Sequence, residues 1–98
     1  MNSFGTHLPL VVNLGKELSE FFALKEKGEI ESARVVATRA EGIIDSLLVN
    51  PDLVGGGIWE MKKWREIMND ALSDEPQFSV SKLDVEIYFR PFALRLYE

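Results

Sequence analysis

Ninety-eight residues, 46% of them hydrophobic and 28% charged, describe one globular domain and exclude both a disordered chain and a second independent core. The absence of cysteine removes disulfides, thiolate nucleophiles and thiolate zinc sites together, and it fits a reducing, cytoplasmic setting. Eleven basic against sixteen acidic side chains leave a formal charge of −5, spread over both halves of the chain, which disfavours nucleic acid and anionic membrane surfaces as partners.

Residues 1–7 carry Asn2, Ser3, Gly5 and Thr6 and read as a loose arm ahead of the first helix. Val11, Leu14, Leu18, Phe21 or Phe22, and Leu24 recur at steps of three and four and predict a helix from about Pro9 to Lys27. Thr6 is the expected cap, Pro9 suits the first turn, and Gly28 is placed to end the helix in the left-handed region. No basic segment precedes Leu8 to Leu14, and no apolar run approaches the ~20 residues that span a bilayer, so neither a signal peptide nor a membrane segment is expected.

Ile30, Ala33, Val36 or Ala37, Ala40, Ile43 or Ile44, and Leu47 or Leu48 predict a second helix from Glu29 to about Val49. The short connection at Gly28 forces the two helices into an antiparallel hairpin. Small side chains at Ala33, Ala37 and Ala40, and Gly42 with them, are expected to let the partner helix approach closely. Asn50-Pro51 closes the second helix, and Gly55-Gly56-Gly57 leads as a flexible loop into a third, from about Ile58 to Ser73. There Met61, Trp64, Met68, Ala71 and Leu72 form the buried face.

The last segment has a different period. Leu83, Val85, Ile87 and Phe89 alternate with Asp84, Glu86, Tyr88 and Arg90, and after Pro91 the alternation resumes with Phe92, Leu94 and Leu96. Period two in branched and aromatic residues is a strand pattern. A helix capped by Ser81 competes with it, but that helix would hold Pro91 in its interior and show apolar side chains on every face. Residues 78–98 are therefore expected to be extended or β.

The motifs of common chemistries are sparse. His7 is the single histidine, too few nitrogens for a typical metal site, and no serine stands in a Gly-x-Ser-x-Gly context. The triple glycine lacks the strand before it and the Gly-Lys-Ser/Thr ending of a phosphate loop. Lys62, Lys63 and Arg65 beside Trp59 and Trp64 are diluted by Glu60, Glu66 and Asp70 and read as an ordinary amphipathic helix. No catalytic residue and no cofactor is assigned.

Four carboxylates form the one arrangement with chemical potential. Glu17 and Glu20 stand three apart on the first helix, and Glu41 and Asp45 four apart on the second, so each pair shares a helix face. Four carboxylates around a groove hold magnesium, which in turn binds nucleotide phosphates. Glu17-Leu-Ser-Glu20 resembles the Glu-x-x-Glu of the all-α nucleoside triphosphate pyrophosphohydrolases. Glu41-Gly-Ile-Ile-Asp45 is one residue longer than the second half of that pattern. The resemblance implies a magnesium-dependent phosphohydrolase, kept as the alternative to ordinary solvent-facing carboxylates balanced by Lys16 and Arg39.

These residues together predict a mainly α domain. Its three-helix core over residues 8–73 comprises an antiparallel hairpin and a crossing helix, and a β-rich arm follows. Leu14, Leu18, Phe22, Ala40, Ile44, Leu47, Trp64 and Met68 are its expected centre. The function expected is that of a small non-enzymatic interaction module, an adaptor, inhibitor or subunit. It is expected to self-associate through that arm, most simply as a homodimer because unpaired strand edges invite a second chain, or else to bind another protein. The expected contact residues lie in the arm: Val85, Ile87, Phe89, Phe92, Leu94 and Leu96, with Tyr88 and Tyr97.

Overall fold

The computed structural model describes residues 7–50, 53 and 55–96. It contains four helices in chain order, α1 Leu8–Glu26, α2 Ile30–Leu48, α3 Gly56–Ala71 and α4 Lys82–Leu96, and no strand occurs among the described residues. No helix among them is long and apolar enough to cross a membrane.

The helical hairpin forms as the spacing requires. Gly28 adopts a φ of +78°, its N–H donates to the Lys25 carbonyl at 3.0 Å, and the Glu29 N–H reaches back to Leu24 at 2.9 Å. This pair of bonds satisfies carbonyls that the end of α1 would leave open and turns the chain directly into α2. The expected Thr6 cap lies outside the described residues; His7 holds the N-cap position and makes no side-chain cap bond. His7 is instead buried, and its Nδ1 accepts a hydrogen bond from Asn50 Nδ2 at 2.9 Å, tying the start of α1 to the end of α2.

All eight residues expected at the centre are buried there, with Phe21, Val36 and Met61 beside them. Ala33, Ala37 and Ala40 are buried in α2, whereas Gly42 is exposed with nothing within 4 Å of an added Cβ. The close approach occurs at Gly15 of α1, where a Cβ would lie 2.7 Å from Phe89 Cγ and 2.8 Å from its Cβ.

That contact corrects the reading of the C-terminal segment, which is helical from Lys82 to Leu96. At about 100° per residue, Val85, Phe89, Phe92 and Leu96 share one helix face, while Leu83, Ile87 and Leu94 share the opposite one. Two apolar stripes on opposite faces produce the strict alternation that was read as a strand. Pro91 does sit inside the helix. It removes the donor for the Ile87 carbonyl, a cost of about 3 kcal/mol in a helix interior. Both Pro91 and Ile87 are exposed, which leaves that side of the helix open to water. Full burial of Val85 and near-full burial of Phe89, each contributing about 2 kcal/mol, outweighs the loss.

Local sequence supports the same outcome. The Ser81 N–H and hydroxyl donate to the Asp84 carboxylate at 2.9 and 3.1 Å, while the Asp84 N–H donates to Ser81 Oγ at 3.3 Å, a reciprocal cap at the start of α4. The connection before it is held by Asp70, whose carboxylate accepts the N–H groups of Gln77 and Phe78 at 2.8 and 2.9 Å. The core is thus built from four helices, with α4 antiparallel against α1.

Candidate functional site: the outward face of the fourth helix

The inward face of α4 is aromatic. Phe89 rests on Gly15, and its ring lies 5.4 Å from Trp64 and 4.8 Å from Tyr88, centroid to centroid. Tyr88 packs edge-on to Trp64 at 5.2 Å and donates its hydroxyl proton to Glu60 Oε1 at 2.6 Å. Burial raises the Tyr88 phenol well above its ordinary value, and the hydrogen bond it donates to Glu60, together with the negative charge of that carboxylate, pushes it further in the same direction. These contacts fix the rotation of α4 about its own axis, and with it the residues presented to solvent.

The predicted contact residues therefore divide in two. Val85 and Phe89 are buried, Tyr88 and Phe92 are half-buried against the core, and Leu96 is half-buried at the end of the helix. Ile87 and Leu94 face outward, 55% and 62% exposed. Tyr97 lies outside the described residues. Leu83, 61% exposed, belongs with the outward pair and was not singled out from sequence. The signal for it is the helical interval: Leu83, Ile87, Arg90 and Leu94 follow steps of four, three and four, the spacing of a seam between packed helices.

Other exposed apolar residues do not share this order. Ile30 and Val35 of α2 and Val49 just past its end are scattered, as single apolar residues commonly are on protein surfaces. Trp59 projects from α3 beside a hollow of about 200 Å³ whose walls include Trp64 and Tyr88.

A groove of about 630 Å³ runs between α1 and α4 beside the outward stripe. Val12, Gly15, Ala23, Phe89 and Ala93 contribute its apolar surface, and Glu86 and Arg90 of α4 line it as well. Arg90 is therefore shared by the stripe and the groove, so the two make one continuous surface.

The four carboxylates occupy two separate ion-pair sites. Arg39 of α2 reaches across to α1, its Nε 3.0 Å from Glu17 Oε2 and its Nη2 3.4 Å from Glu20 Oε2. Arg65 of α3 binds Glu41 Oε2 through Nε at 2.9 Å and Asp45 through Nη2. The pairs thus join α1 to α2 and α2 to α3, and each faces a guanidinium rather than the other pair. No group of three or more metal-ligating side chains occurs among the described residues. Of the two cations expected as partners, Arg39 fills that role, and Arg65 was missed because its distance in sequence from Glu41 hides a contact between neighbouring helices.

Comparison with known family models, curated proteins and solved structures gives no match to this chain.

Proposed function

We propose that the chain is a non-enzymatic protein-interaction module whose contact surface is the outward face of α4. The observation that carries the reading is the alignment of Leu83, Ile87 and Leu94, each more than half exposed, on the face opposite the one that docks on the core. A surface helix normally carries one apolar face and one polar face. Here the inward aromatic contacts already anchor the helix, so the outward stripe adds nothing to the fold of a single chain and suits a second surface. Arg39 and Arg65 hold the four carboxylates that the phosphohydrolase alternative needs, and both guanidinium groups would have to leave before a cation could take their place.

The test places a photo-cross-linking side chain at Ile87 and, as a control, at the equally exposed Val35 of α2. The expected result is one adduct of defined mass from position 87 that is lost when Leu83 and Leu94 are both replaced by Glu, and no adduct from position 35. Equal cross-linking from the two positions, or an adduct indifferent to the Leu83 and Leu94 substitutions, refutes the reading.

A further inference from the structure

We infer that the partner of this face is a second copy of the chain, bound by two-fold antiparallel pairing of α4 with α4. The inference rests on the interaction reading and adds the identity and register of the partner.

Charge order along the helix carries it. Lys82, Asp84 and Glu86 stand in the N-terminal half of α4, with Lys82 Nζ 3.6 Å from Glu86 Oε1, so that half carries a net negative charge, and Arg90 and Arg95 stand in the C-terminal half. All five are exposed. In an antiparallel pair the acidic half of each helix faces the basic half of the other. Glu86 and Arg90 lie along one flank of the stripe and Asp84 and Arg95 along the other, by the same helical spacing that defines the stripe. Antiparallel packing brings like flanks together, so Glu86 meets Arg90 of the second copy on one side while Asp84 meets Arg95 on the other. The two-fold axis then repeats each pair in reverse, making the surface complementary to itself.

The seam follows the same register. Leu83 faces Leu94 of the second copy, and Ile87 lies against the alkyl stem of Arg90, a long side chain that covers apolar surface while its guanidinium reaches a carboxylate at the edge. The parallel arrangement fails on the same residues, because it sets Arg90 against Arg90 in the middle of the seam. Since Glu86 and Arg90 also line the α1–α4 groove, the second α4 lies along the opening of that groove. The assembled core would contain α1 and α4 from both copies.

Sedimentation and light scattering on the purified full-length chain test the inference. The expected result is a dimer at concentrations on the order of tens of micromolar. Glu86→Arg and Arg90→Glu should each weaken it by about tenfold or more, and the double exchange should restore it. Circular dichroism separates loss of association from loss of fold.

The chain has no cysteine, so orientation can be read independently. Mixed Leu83→Cys and Leu94→Cys copies should form a mixed disulfide, and neither variant should cross-link efficiently with itself. Self-cross-linking of Leu83→Cys overturns the antiparallel register. A wild-type chain that stays monomeric at high micromolar concentration overturns the second-copy proposal, and the Ile87 adduct then reports a different partner. Equal cross-linking from Ile87 and Val35 would instead remove the interaction reading itself.

Discussion

Replacing Gly15 by Ala should destabilise the protein, although the same replacement at Gly42 should stabilise it. Both glycines lie inside helices, and neither has a positive φ. On propensity alone each change gains about 1 kcal/mol, because Ala holds a helix better than Gly. At Gly42 nothing stands within 4 Å of the new methyl, so that gain should appear in full. At Gly15 the methyl would lie 2.7 Å from Phe89 Cγ, 2.8 Å from its Cβ and 3.0 Å from Cδ1. Carbon atoms pack best at about 3.5–4.0 Å, so the gap must open by about 1 Å. The Phe89 Cβ has no rotamer that moves it aside, and α4 itself must shift. Overpacking of this kind costs about 1–3 kcal/mol. Loss of the neighbouring Trp64 and Tyr88 contacts adds to it, so the net effect should be a loss of about 1–2 kcal/mol. The two variants should therefore move in opposite directions in urea unfolding, with melting temperatures separated by roughly 10 °C. If Gly15→Ala is as stabilising as Gly42→Ala, α4 does not dock on α1 through Phe89, and the orientation of its outward face loses its foundation.

Two further outcomes follow from the polar contacts. In an ultraviolet difference titration, the ionisation step removed by Tyr88→Phe should lie above the ordinary phenol value of about 10. Because the folded state raises that value, its contribution is complete below the unfolded pKa and is lost as pH climbs through the folded one; an ordinary titration for Tyr88 refutes the buried contact with Glu60. Arg65→Met should cost no more than about 1 kcal/mol in urea unfolding, since both of its ion pairs are partly exposed, and magnesium should leave the wild-type midpoint unchanged. A clear rise in stability with magnesium would restore the phosphohydrolase alternative.

The hairpin and the centre of the core were legible because their signals are local or periodic. Gly28 requires nothing beyond its own position, and Leu14, Leu18, Ala40, Ile44 and Leu47 repeat at helical intervals that no other structure explains. The last helix was misread because two stripes on opposite faces add up to a period of two. Pro91 then counted against the helix, although an exposed Pro interrupts it on the side that water can reach. The cap was a better guide, since Ser81 and Asp84 stand three apart ahead of an apolar run and satisfy one another as they do in the structure. Gly15 carried no usable signal: its need for space comes from Phe89, a residue 74 positions away in a segment read as extended.

The same misreading bears on the candidate site. Two strands would have put Val85, Ile87 and Phe89 on one apolar face and Phe92, Leu94 and Leu96 on another, and left open strand edges as the reason to associate. The helix instead withdraws Val85 and Phe89 into the core and leaves Leu83, Ile87 and Leu94 outside. The contact surface expected from sequence thus becomes narrower, and its logic changes from backbone pairing to side-chain packing. The chain covers the inward face of α4 through α1 and Trp64. Under the dimer proposal the outward face would be covered by another α4, and the exchange of Glu86 and Arg90 tests that pairing directly.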